Sequence, residues 1–130
     1  MRAISIMNPY AQMIFEGVKK VEIRSRPIAL GKILICVSQK RVLWHDVFNA
    51  RYIHYNNMYY ENCGYAIGIV DIVECGRMDS IDEIYAFVPY NSDLYAYKLA
   101  NPKRLKRPFP IKGKQGIFYP DLLPSQLEVI

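Results

Sequence analysis

The stretch GVKKVEIRSR, residues 17 to 26, gathers Lys19, Lys20, Glu22 and Arg24. A lysine three residues before a glutamate can share a pocket with it, and each then keeps the other charged. Arg24 adds a planar fork of donors that suits a phosphate or a base edge. Asp71, inside the apolar run IGIVDIV, is a further carboxylate, and Tyr10 is an aromatic that could stack on a base. Two chemistries follow from these types. Tyr10, Lys19, Glu22 and Arg24 could bind and orient a ligand in a charged cleft. Alternatively, Glu22 or Asp71 could act as general base on a water, with Lys19 or Arg24 stabilising developing negative charge. The plainer account is a ladder of weak ion pairs on a wet strand face, with Tyr10 as packing.

A second cluster lies downstream. No acid occurs between Asp93 and Asp121, whereas Lys98, Lys103, Arg104, Lys106, Arg107, Lys112 and Lys114 all do. With a formal charge of +5 and a pI near 9.1, the chain favours a polyanionic partner. The segment reads either as a solvated basic edge or as a phosphate-backbone contact surface through Lys103, Arg104, Lys106, Arg107, Lys112 and Lys114, weakened by salt.

These residues need a frame. The 130 residues, 52% hydrophobic with eleven Tyr and five Phe, fit one domain, 1–130, with a sizeable core. No run approaches the ~20 apolar residues of a membrane helix, and MRAISIMNPYAQ lacks the long apolar stretch and small-residue cleavage site of a signal peptide, so none is expected there. A soluble, cytoplasmic protein is the expectation. Cys36, Cys63 and Cys75 form no C-x-x-C pair, and His45 and His54 stand beside no cysteine, so neither a metal nor a cofactor is expected. Cys36 and Cys75 read as buried thiols.

AISIM (3–7) reads as a first strand. Asn8 as N-cap, Pro9 at the first helical position and Gly17 at the end bracket a helix of about two turns. Alternation makes 17–26 a second strand. KILICVS (32–38) reads as a strand buried on both faces, and RVLWHDVFNARYI (41–53) as an amphipathic helix. YAIGIVDIVE (65–74) is a strong strand. Asp71 either points to the solvent side of a half-buried strand or lies in a lined cavity; by parity it shares a face with Ile67, Ile69 and Val73, and if buried among them it needs a partner such as Lys19, Lys20 or Arg24. Ser80 with Glu83 suggests a capping box for a short helix. LYAYKL (94–99) and GIFY are further strands, separated by a proline- and glycine-punctuated basic stretch. About six strands and two to three helices, without regular βα alternation, predict a mainly β (α+β) fold, a small and mostly antiparallel barrel or curled sheet.

The order of these pieces resembles the ASCH domain family of the PUA-like superfamily. The carrying motifs are NPYA at 8 to 11, GVKKVEIR at 17 to 24, GKILICVS, AIGIVDIVE and RPFPIKGKQGIFY. The resemblance runs from about residue 3 to 121. It implies a PUA-like β-barrel with a cleft beside the first helix that takes RNA or nucleosides, and Lys19, Glu22 and Arg24 match the cleft motif. Some members look like amidohydrolases acting on N4-acetylcytidine, and others have been linked to RNA cleavage. Here Glu22 stands where the amidohydrolase type has a threonine, so no hydroxyl nucleophile is offered there. Tyr10 and Phe118 stand where the family has tryptophan. Strand parity puts Lys20, not Lys19, beside Glu22 and Arg24, and a turn at Gly17 is needed for Lys19 to reach them.

Overall fold

The structure is a computed structural model that describes residues 1–43, 46–48 and 60–130. The elements run β1 (Ala3–Asn8), α1 (Tyr10–Phe15), β2 (Val21–Arg24), β3 (Gly31–Arg41), β4 (Tyr65–Arg77), α2 (Asp82–Ala86), β5 (Tyr95–Pro110) and β6 (Ile117–Phe118). A 3₁₀ turn follows at Pro124–Leu127. All six strands form one sheet in the order β2-β5-β4-β3-β1-β6, antiparallel except for β1 against β3. The mainly β reading holds, but the sheet is curled rather than closed. β2 and β6 remain edges, and instead of a ladder the Arg24 guanidinium donates to the Ser5 carbonyl of β1 at 3.0 Å.

The curl separates two apolar layers. Ile4, Ile6, Ile33, Ile35, Val37, Ile67, Val70, Ile72 and Tyr97 form the inner one, with Ala11 and Ile14 of α1 packed against them. Ala3, Leu34, Cys36, Ala66, Ile69, Leu105 and Phe118 form the outer one, covered by Leu122, Leu127 and Val129. β3 contributes to both layers, as its unbroken apolar run requires. Fully burying each such aliphatic side chain contributes roughly 1.5–3 kcal/mol before entropy is counted. Burial also pushes the Cys36 thiol up to about 12, which makes it inert near neutrality. Cys75 is half-buried rather than buried.

Several local expectations shift. Asn8 ends β1 instead of capping α1: its Nδ2 donates to the Glu61 carbonyl at 2.9 Å, and the Asn8–Pro9 bond is cis. Gly17, at φ +77°, does end the helix in the left-handed region. The capping box of α2 sits one residue early. The Asp79 carboxylate accepts from the Ile81 and Asp82 amides, and Asp82 Oδ2 accepts from the Asp79 amide. β5 does not stop at Leu99 but runs on through the proline- and glycine-punctuated basic stretch to Pro110. It tolerates three prolines because β2 pairs only with Tyr95 to Lys98, which leaves most of its other edge free of ladder bonds. Of the helix expected over 41–53, Arg41 belongs to β3, and residues 44, 45 and 49–53 lie outside the described residues.

Gly68 explains the glycine of AIGIVDIVE. A Cβ there would collide with the Phe15 ring and sit 2.7 Å from the Lys103 carbonyl oxygen, so its absence lets α1 lie on the sheet. Gly68→Ala should destabilise the fold by about 1–3 kcal/mol through overpacking. Gly76→Ala, with nothing within 4 Å of the new atom, should cost far less. Urea unfolding of the two variants checks this, and equal midpoints would contradict the packing role.

Candidate functional site

The turn at Gly17 decides which lysine meets Glu22. The Val18 and Lys19 amides both donate to the Met13 carbonyl, so the chain folds back on α1 before β2 begins at Val21. Lys19 therefore escapes strand parity and goes inward at 2% exposure, while Lys20 faces solvent. Its Nζ lies 3.3 Å from Glu22 Oε1, donates to the Ala86 carbonyl at the end of α2 at 2.5 Å, and sits 4.9 Å from the centre of the Tyr10 ring. Glu22 is 8% exposed and borders the inner core beside Ile4, Ile6 and Tyr97. Its Oε2 accepts both Arg24 Nε at 2.9 Å and Nη2 at 2.8 Å.

Three charges are thus held by one another: Lys19, Glu22 and Arg24, with a surplus of one positive. Burial alone would raise the Glu22 carboxyl, but Lys19 and Arg24 together outweigh it and hold the group below the ordinary carboxylate range. Burial lowers Lys19, and Glu22, shared with Arg24, offsets only part of that. Burial raises the Tyr10 hydroxyl, helped by the Glu22 charge, and that hydroxyl reaches the Phe87 carbonyl at 3.5 Å. Tyr10 is thereby a wall of the lysine's chamber rather than an open stacking platform.

Arg24 is the member that reaches outward. With Nε and Nη2 engaged, Nη1 has no hydrogen-bond partner among the described residues, and the side chain is 30% exposed. It lines a pocket of about 910 Å³ together with Ser5, Met7, Val37, Lys40, Gly64 and the segment 110–116. Among the described residues the pocket wall carries four cations, Arg24, Lys40, Lys112 and Lys114, and no carboxylate or aromatic. Gly113 rests on Ser5, whose Oγ is buried without a hydrogen-bond partner, and a Cβ on Gly113 would collide with it.

The remaining expected site residues are placed elsewhere. Asp71 does not join Glu22. Its Oδ1 pairs with Lys32 at 3.0 Å and its Oδ2 accepts from Asn101 at 2.9 Å. Those hydrogen bonds, Asn101's first, lower its carboxyl. Strand alternation breaks at a bulge, at Ile67. Ile35 faces Gly68 while Cys36 faces Ala66, so Ile67 turns inward and Asp71 follows Ile69 and Val73 outward. The basic segment divides as well. Lys112 and Lys114 line the pocket, but Arg104 pairs with Glu16, Lys106 lies 3.9 Å from Glu128, and Lys98 pairs with Asp82. Lys103 and Arg107 are exposed.

Lys40, Ser5 and the anchors Asn8 and Gln12 were missed. Asn8 and Gln12 both donate to the Glu61 carbonyl and so hold the chain that leads to Gly64 at the pocket wall. Only the polar run SQKR at the end of β3 hinted at Lys40. Among the described residues no group of three His, Cys, Asp or Glu could hold a metal, and no helix is long and apolar enough to cross a membrane.

Glu22→Gln keeps the shape and removes the charge, leaving the Lys19 ammonium buried without its anion. The cost at neutral pH should be about 3–5 kcal/mol. The folded-state pKa of Glu22 lies below the ordinary 4.5, so its contribution is full above that value and lost as pH falls through the folded pKa. The gap between the parent protein and Glu22→Gln should therefore narrow in acid. A constant gap from neutral to strongly acidic pH, measured by urea unfolding, would contradict the buried pair.

Comparison with known proteins agrees with this architecture. The mouse protein Activating signal cointegrator 1 is 27% identical over 126 residues, covering 88% of this chain, and the human protein of the same name is 26% identical over the same span. The chain spans about a fifth of the length of these relatives, 21% in each case. The crystal structure of ASCH from Zymomonas mobilis matches the fold with a TM-score of 0.60 at 16% identity, covering 96% of this chain and 89% of that one. A point-mutant form of the same protein gives 0.61 at 17%. The family model for the ASCH domain matches residues 4–109. By that match, which takes in β1 through nearly all of β5, the chain belongs to the ASCH domain family.

Proposed function

We propose that this domain binds nucleic acid, RNA in the first instance, by holding phosphate in the pocket walled by Arg24, Lys40, Lys112 and Lys114. The observation that supports this reading is the wall itself: among the described residues, four cations and no carboxylate face one concavity. Glu22 and Lys19 serve there as positioning residues, since Glu22 Oε2 accepts from Nε and Nη2 along one edge of the Arg24 guanidinium and Nη1 is left without a partner among the described residues. Two charge-assisted hydrogen bonds to that oxygen, with a third from Nη2 to the Ser5 carbonyl, hold the guanidinium in place. Among the described residues the wall carries cations and no aromatic ring, which favours contact with the phosphate backbone. The resemblance to RNA- and nucleoside-binding ASCH proteins agrees with this choice of ligand.

Hydrolysis of an acylated nucleoside or of RNA in the same place has less support. A general base must be free to take a proton. Both Glu22 oxygens are engaged, its carboxyl is held low, and Asp71 is occupied by Lys32 and Asn101.

The test is the salt dependence of affinity for a short single-stranded RNA. Neutralising three to four phosphates should give a log–log slope of about −2 to −3. Lys112→Ser with Lys114→Ser, both exposed and without ion pairs among the described residues, should reduce that slope by about 1.4. Affinity independent of salt, or unchanged in the double variant, would overturn the reading.

A further inference from the structure

Resting on that reading, the geometry points to a more specific ligand: we propose that the pocket takes a phosphomonoester, the phosphorylated end of a strand or a free nucleotide, in preference to an internal phosphodiester. A protein that tracks a running backbone needs unpaired cations strung along a path. On β5 and its surroundings that path is broken by ion pairs, Lys98 with Asp82, Arg104 with Glu16 and Lys106 with Glu128. Beyond these only Lys103 and Arg107 remain of that segment, both exposed. Within the pocket the situation is reversed. Lys40, Lys112 and Lys114 have no carboxylate partner among the described residues, and the Lys19–Glu22–Arg24 group contributes its one surplus positive charge through Arg24.

Free charge is therefore concentrated at one point of the surface. A volume of about 910 Å³ is of the size that encloses a small ligand or a strand terminus. An internal phosphodiester brings one negative charge to such a point. A phosphomonoester brings about 1.5 to 2 at neutral pH, with three acceptor oxygens. One free donor of the wall fits the same group: Arg24 Nη1 has no hydrogen-bond partner among the described residues. Gly113, which lacks the Cβ that would strike Ser5, lets the loop that carries Lys112 and Lys114 pack against β1 beside it.

The ligand's own titration supplies a signature. Arginine and lysine do not change charge between pH 5 and 8, whereas the second ionisation of a phosphomonoester lies near about 6. Among the described residues the pocket wall carries no histidine, cysteine or carboxylate, and behind Arg24 the Glu22 carboxyl is held below the ordinary carboxylate range by Lys19 and Arg24, while burial lowers Lys19. His45 and His54 lie outside the described residues, so a matched ligand without the end phosphate serves as the internal control.

The experiment compares one short RNA in three forms, with a 5′-phosphate, with a 3′-phosphate and with hydroxyl ends, alongside a nucleoside monophosphate and its nucleoside. At least one end-phosphorylated form should bind about tenfold tighter than the hydroxyl-ended RNA, and the monophosphate tighter than the nucleoside. That advantage should grow as pH rises through about 6 and shrink in Lys112→Ser/Lys114→Ser and in Arg24→Lys. Equal affinity of all three RNAs, with the salt slope intact, would overturn the end-group preference and leave RNA binding standing. Binding of the monophosphate without RNA binding would do the opposite. Absence of binding by every phosphate compound would remove both.

Discussion

The constraint behind this site is a carboxylate in an apolar interior. Glu22 points from the edge strand β2 toward the inner layer, where an unpaired charge would cost several kcal/mol. Two cations resolve it from opposite sides. Lys19 arrives by way of the left-handed turn at Gly17 and is anchored on the Ala86 carbonyl at the end of α2. Arg24 arrives from the same strand, two residues on, and is anchored on the Ser5 carbonyl of β1. The same group thus ties α1, α2, β2 and β1 together across the seam where the sheet fails to close. A side-chain bridge takes the place that a backbone ladder would have in a complete barrel.

That arrangement has a functional consequence. Had Glu22 only one cation, the group would be neutral and Arg24 free to wander. With two, the group keeps a net positive charge, and a doubly anchored guanidinium presents it in one direction, into the pocket lined by Lys112 and Lys114. The elements that build the pocket are themselves fixed from a distance. Asn8 and Gln12 hold Glu61, and the Ile111 amide donates to the Gly64 carbonyl, so loop and strand end face each other across the opening. Preorganised donors of this kind lose little entropy when an anion arrives.

Much of this was legible in the chain and some was not, for identifiable reasons. The Lys19–Glu22–Arg24 spacing was enough to suggest a shared charge cluster, because local offsets in sequence become local offsets in space. Their anchors came from 67 and 19 residues away, and nothing in the spacing names Ala86 or Ser5. β3 was readable because burial on both faces leaves an unbroken apolar run. Asp71 was misplaced because a bulge at Ile67 reverses alternation, and a bulge leaves no mark in hydrophobic pattern beyond the glycine beside it. The basic segment was read as one surface. Ion pairing with Glu16, Asp82 and Glu128, all distant in sequence, divides it. The long β5 was hidden by prolines that only an unpaired edge could accept.

The central claim is that the Arg24 guanidinium, held by Glu22, and the loop 112–116 form the surface that meets phosphate. Nitrogen-15 NMR of the Arg24 side chain and the backbone amides, followed during titration with a short end-phosphorylated RNA, tests it most directly. The account predicts that Arg24 Nε and the amides of Gly113 to Gly116 shift together and saturate at one concentration. Shifts confined to Lys103 and Arg107, with Arg24 and the loop unmoved, would contradict it.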